Sequence, residues 1–213
     1  MIAVLQKIYI LLGYLYSSWS KEQPAGVIMI PILSSSAMLR VFSVFLRDPS
    51  KNYQLREISR MIGLNHKSIS IYVRELVEDG LARENEKTPY KSYCANCEIP
   101  AFKRYKRMFN AIQLYESGFV DFLNDFYSYP AAIVLFGSYS KGEDVPISDI
   151  DVLVITPLKK LAAIEKFEKL LGHRIQLFLH SAADLQRMKT TNKELLNSWI
   201  NGICVQGYME IFT

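Results

Sequence analysis

From Ser36 onward, apolar residues recur at helical spacing three times before the pattern changes character. Ala37 to Arg47 carries Leu39, Phe42, Val44, Phe45 and Leu46, and Pro49 stops it. Leu55 to Ile62 sets Leu55, Ile58 and Ile62 on one face, with Gly63 after it. Asn65 suits the N-cap of a third helix, His66 to Asp79, in which Ile69, Val73, Leu76 and Val77 form a core-facing stripe up to Gly80. The run LARENEKTPYKSY then predicts two strands joined near Pro89. Residues 101–127 predict one long helix, with Tyr105, Met108, Phe109, Ile112, Phe119, Phe122, Leu123 and Phe126 at spacings of three and four. Beyond it, the continuous apolar run Ala131–Phe136 and the stretch Asp149–Ile155, apolar apart from its two aspartates, predict buried strands. An amphipathic helix over Lys159–Leu171, a third strand in RIQLFLH, a helix around Trp199 and a last strand in CVQGYMEIF complete the pattern.

The chain has 213 residues, 50% hydrophobic and 22% charged, a globular composition that excludes disorder as its main state. Three cysteines exclude a disulfide scaffold and suit a reducing, cytoplasmic compartment. Cys94 and Cys97 form a lone C-x-x-C, two ligands short of a structural zinc site, and read as packing residues. Charge is uneven. Residues 36–110 hold 14 Lys/Arg against 8 Asp/Glu, whereas residues 111–213 hold 9 against 12. A basic front and an acidic back predict modules with different partners. The expected division is an apolar segment over 1–35, a DNA-binding-type module over 36–100, the linking helix over 101–127 and an α/β domain over 128–213. Ile8 to Ser20 is apolar and uncharged but too short for a confident membrane span. A terminal helix, an anchor and a start placed too early, with Met29 the true one, all fit it; the first and third are preferred, so membrane attachment is not expected.

On the third helix, Lys67, Ser68, Ser70 and Arg74 offer donors suited to phosphate oxygens and base edges, and Arg83 and Lys87 extend that set onto the strands that follow. The stretch from Gln54 to Tyr93, carried by LREISRMIGLNHKSISIYVRELVEDGLA, resembles the winged-helix family of DNA-binding domains. The resemblance implies DNA as a partner; a winged helix used for protein contacts is the alternative. The aromatic stripe of residues 101–127 fits packing on the next domain or a homodimer seam.

The chemistry lies further on, in GSYSKGEDVPISDIDVLVI. Gly137 and Ser138 follow a strand directly, and Gly lets a phosphate approach the backbone while Ser supplies a hydroxyl and an amide. Lys141 lies within reach of the same anion. Ser148 leads into Asp149-Ile150-Asp151, whose carboxylates share one strand face. Such a pair is costly to bury without a cation, and its hard oxygens suit Mg²⁺ or Mn²⁺ held together with substrate phosphates. A phosphate grip beside paired carboxylates describes metal-assisted phosphoryl or nucleotidyl transfer.

With Gly137-Ser138, an eleven-residue step from Ser138 to Asp149, and Ser148-Asp149-Ile150-Asp151, the segment from about Ala131 to Leu179 resembles the nucleotidyltransferase superfamily that includes DNA polymerase beta, and most closely its minimal branch. The resemblance implies an α/β (α+β) domain with a small mixed sheet. It also implies nucleotide binding by Gly137, Ser138, Lys141 and Ser148, and a catalytic metal held by Asp149 and Asp151. An NTP would be the substrate. Lys141 stands where minimal members often carry Arg, keeping the charge without the bidentate fork. Where the family has a third carboxylate to activate the attacking hydroxyl, this chain has Gln176, which cannot act as a base at neutral pH. Two functions therefore stand: transfer of an NMP to a hydroxyl of a protein, nucleic acid or small molecule, or a DNA-binding regulator, antitoxin-like and able to meet a toxin partner, whose transferase fold only senses a nucleotide.

Overall fold

The computed structural model describes residues 36–85 and 90–211. The expectations for residues 1–35, and the assignment of Lys87 to DNA, lie outside the described residues. Three helices come first: α1 (Ala37–Arg47), α2 (Leu55–Ile62) and α3 (His66–Glu78). The sequence rules act locally here. The Ser36 side chain accepts the Leu39 amide at 3.4 Å and the Asn65 side chain accepts the Ser68 amide at 2.9 Å, each a cap of about 1 kcal/mol. Strands β1 (Ala82–Asn85) and β2 (Ser92–Ala95) pair antiparallel, and Tyr53, ahead of α2, bridges to Tyr93. Val41, Phe45, Ile58, Ile69, Val73 and Leu76, all fully buried, make one core under these elements.

The expected long helix is two. α4 spans Pro100–Glu116 and α5 spans Phe119–Phe126. Between them the Ser117 hydroxyl donates to the Leu114 carbonyl and accepts the Phe119 amide, which ends one helix and starts the next. The aromatic stripe is divided accordingly. Phe109 joins the first core, Phe119 and Leu123 join a second, and Tyr105 and Met108 stay exposed.

A four-stranded mixed sheet follows, in the order β5-β4-β3-β6, made of β3 (Ala132–Phe136), β4 (Ile150–Ile155), β5 (Ile175–His180) and β6 (Ile203–Gly207). β3 is antiparallel to β4 and β6, and β4 is parallel to β5. The remaining helices are α6 (Gly137–Lys141), α7 (Glu165–Leu171), α8 (Ala182–Thr191) and α9 (Lys193–Ile200). α7 is about half the expected length. Residues 158–164 run without helix, since Ala162 tucks into the core and the Tyr127 hydroxyl donates to the Lys160 carbonyl at 3.0 Å. The last strand is also shorter than the apolar run suggested.

Both faces of the two central strands are covered, which is why β3, and β4 beyond Asp151, read as unbroken apolar runs. Ile133, Leu135, Ile150, Val152 and Val154 pack with Phe119, Leu123 and Phe167. Ala132, Val134, Phe136, Leu153 and Ile155 pack with Leu185, Leu196 and Trp199. Asp151 shares the second face with Leu153 and Ile155, by the alternation of a strand. The cover from α8 and α9 reaches those two residues, while Asp151 at the strand's beginning stays partly exposed. Among the described residues, no helix is long and apolar enough to cross a membrane.

Candidate nucleotide and metal site

The site forms where β3 ends and β4 and β5 begin. Phe136 and Asp151 stand in register across β3 and β4, and Asp151 and Gln176 across β4 and β5. Gly137 follows at once with φ of 71°, a conformation that an L side chain adopts only under strain. A Cβ there would lie 2.1 Å from Asp151 Oδ2, so only glycine lets the chain turn this close to the carboxylate. The turn continues as α6. The Ser140 hydroxyl donates to the Gly137 carbonyl at 2.9 Å, and the Glu143 amide donates to the Ser138 carbonyl at 3.1 Å. Ser138 is half-buried and Lys141 exposed.

Asp149 immediately precedes β4. Its approach is fixed by Ser148, whose hydroxyl accepts the Val145 amide at 3.0 Å and whose carbonyl lies 2.8 Å from His173 Nδ1. The Gln176 side-chain amide donates to Asp149 Oδ2. Burial first, and the neighbouring Asp149 charge second, hold the Asp151 carboxyl above the usual carboxylate range. Two like charges are thus neighbours, with the Gln176 amide on Asp149 and, among the described residues, no cationic side chain hydrogen-bonded to either.

The donor set suits a hard divalent cation. Among the described residues no group of three or more His, Cys, Asp or Glu is gathered, so the protein alone supplies two carboxylates and little else. Mg²⁺ is bound in that way when a substrate's phosphates complete its shell. Gly137, Ser138, Asp149 and Asp151, expected together, are together. Ser148 stands beside them with its side chain spent on the turn.

A family model now bears on this geometry. Residues 116–195 match the model for a nucleotidyltransferase domain. The matched segment runs from the last residue of α4 into α9 and contains β3, α6, β4 and β5, so it supports the nucleotidyltransferase superfamily for that part of the chain. It does not reach α1 to α3. No curated protein and no solved structure matches the chain.

Sequence reasoning missed what lies behind α6. Lys106 and Arg107 belong to the basic stretch of residues 36–110, yet Lys106 is 1% exposed. Its ammonium donates to Asp144 Oδ2 and to the Leu46 carbonyl, both at 2.7 Å. Asn110 donates to Asp144 Oδ1 at 2.7 Å and to the Tyr139 carbonyl at 2.8 Å. Burial pulls the Lys106 ammonium below its ordinary value, and Asp144 opposes that. The available signal was the i, i+4 spacing of Lys106 and Asn110 on the face that also carries the buried Phe102 and Phe109.

In the front module, Lys67 and Ser70 are exposed on α3, while Ser68 is half-buried with its amide on Asn65. Arg74 pairs with Glu78 at 3.7 Å and Arg83 with Glu98 at 3.0 Å. Arg56, Ser59, Arg60 and His66, not singled out from the sequence, line an open depression beside α3.

Proposed function

We propose that the chain is a Mg²⁺-dependent nucleotidyltransferase that moves an NMP from an NTP to a hydroxyl acceptor, joined to a DNA-binding winged helix. The observation that carries the first half is the Asp149–Asp151 pair, like charges held side by side against a glycine turn that has room for nothing larger. Asp149 and Asp151 hold the divalent ion, which supplies charge neutralisation on the triphosphate when bound. Gly137 brings the backbone close, the Ser138 hydroxyl and amide serve as donors to phosphate oxygens, and Lys141 adds a positive charge at the mouth. Gln176 orients Asp149 through its amide. It takes no proton, so the acceptor hydroxyl must lose its own to solvent or to a group of the acceptor.

That property supports a second reading, in which the site binds Mg·NTP and reports its presence to the front module without turnover. Radiolabelled NTPs with Mg²⁺ and cell extract separate the two. Transfer labels an acceptor, and Asp149→Asn with Asp151→Asn lowers labelling by about 100-fold or more. Labelling that persists in the double variant rejects the enzyme. Binding by calorimetry without labelling selects the sensor.

The DNA half rests on the exposed face of α3 with Lys67, Ser70 and Arg74, and on the antiparallel hairpin behind it. Lys67→Ala and Arg74→Ala are each expected to reduce the slope of log affinity against log salt by about one. An unchanged slope reassigns the module to protein contacts. A homodimer through residues 101–127 remains part of this proposal, with Tyr105, Met108 and Tyr115 as its exposed large hydrophobic positions.

A further inference from the structure

A five-residue helix cannot hold its own shape, because nearly all of its carbonyls lack intrahelical partners. In α6 two of those carbonyls are taken by α4. Arg107 Nε donates to the Ser140 carbonyl at 2.9 Å, and Asn110 Nδ2 donates to the Tyr139 carbonyl at 2.8 Å. The next turn is held by the buried pair of Lys106 on Asp144 at 2.7 Å, with the exposed pair of Lys103 on Glu143 at 2.8 Å beside it. Gly142 closes the contact. With φ of 69°, it lies so near α4 that a Cβ would come within 2.6 Å of the Lys103 carbonyl and 3.0 Å of the Arg107 amide. Every one of these α4 residues precedes the matched segment, which begins at residue 116.

We infer that Arg107, Asn110 and Lys106 are positioning residues for the nucleotide grip. They act through the backbone of Tyr139 to Asp144 and fix the turn on which Gly137 and Ser138 meet a phosphate. Lys106 also donates to the Leu46 carbonyl at the end of α1, so the front module is built into the grip rather than hung beside it. The inference rests on the nucleotide-binding reading of the site. Its physical content is preorganisation: a turn already ordered does not have to be ordered by the ligand.

The test uses the full chain with ATP, GTP, CTP and UTP in turn, each with Mg²⁺, by calorimetry. Lys106→Met removes a buried charge and risks the fold, so the exposed Arg107 carries the experiment. Arg107→Ala is expected to weaken nucleotide binding by about tenfold, one charge-assisted hydrogen bond's worth, with a thermal midpoint close to wild type. Arg107→Lys, which keeps a donor within reach of the Ser140 carbonyl, is expected to recover most of the affinity. In nucleotide-free protein, amides of Ser138 to Lys141 should exchange faster in Arg107→Ala than in wild type, with α1 to α3 unchanged. Unaltered affinity in Arg107→Ala overturns the inference and leaves the site reading intact. Loss of affinity that tracks a lowered midpoint and is not rescued by Lys also overturns it, as a merely structural effect. If the wild-type chain binds none of the four nucleotides, the site reading itself fails and the inference falls with it.

Discussion

Two polar clusters flank α6, and they obey opposite rules. Behind it, Lys106, Asn110 and Asp144 are buried and hydrogen-bonded to one another and to backbone, with the lysine and the aspartate opposite in charge. In front of it, Asp149 and Asp151 are partly exposed, alike in charge and met by one neutral amide from Gln176. A buried pair of opposite charges largely satisfies itself. Its work is to hold elements in place, at a desolvation cost that only good geometry offsets. Paired carboxylates with no cationic partner are unstable in isolation and become favourable when a cation arrives. The contrast separates scaffold from site without appeal to any relative.

The comparison breaks most visibly at Lys106. Replacing it with Met leaves Asp144 buried and uncompensated, and stability is expected to fall by about 3–5 kcal/mol, read as the shift of a urea unfolding midpoint at constant slope. Adding Asp144→Leu should recover a large part of the loss, because it removes the stranded charge. A midpoint unchanged in the single variant means that the pair is not sealed from water, and the two clusters then differ only in sign.

A smaller effect is expected at Gly137. Gly137→Ala forces a side chain into left-handed backbone and drives its Cβ into Asp151 Oδ2, for a loss of about 1–3 kcal/mol. The sharper consequence is local. Asp151 must swing away, so Mg²⁺-dependent nucleotide binding measured by calorimetry is expected to disappear while the fold survives. Retention of that binding would detach the glycine turn from the carboxylate and leave the front cluster an ordinary acidic edge.

The two clusters also differ in how far the sequence disclosed them. Gly137, Ser138, Asp149 and Asp151 were legible because strand alternation and one tight turn fix their relations within fifteen residues, and local geometry decides the outcome. The helices and their caps at Ser36 and Asn65 were legible for the same reason. The rear cluster joins Leu46, Lys106, Asn110, Tyr139 and Asp144 across nearly a hundred residues, and nothing local announces a lysine that will be buried. The break at Ser117 was local yet overlooked, since the aromatic stripe kept its period on both sides and outweighed a Ser-Gly pair. The first part of the helix expected over Lys159–Leu171 does not form for a tertiary reason, because the hydroxyl that captures the Lys160 carbonyl comes from Tyr127.

The least expected change is also the most specific to the front cluster. Asp151 titrates above the ordinary carboxylate range in the folded chain, by burial and by the charge of Asp149, and within that range once unfolded. Between the two values the folded protein keeps a proton that the unfolded chain has released. By linkage, this group's contribution to stability grows as pH falls through its folded-state value, and becomes a fixed penalty once pH rises above it. The sign is opposite to that of a salt-bridged carboxylate, so it cannot be confused with general acid unfolding. Asp151→Asn cannot titrate and carries no charge toward Asp149. The stability difference between Asp151→Asn and wild type, followed by thermal melts in EDTA, is therefore expected to favour the variant increasingly as pH rises from the ordinary carboxylate range toward neutrality, and then to level off. Saturating Mg²⁺ should shrink that difference, because a bound cation favours the ionised carboxylate in the folded state alone. Parallel curves with no pH dependence between them would mean that Asp151 is solvated like any surface acid, and the front cluster would lose the electrostatic stress that distinguishes it from the rear.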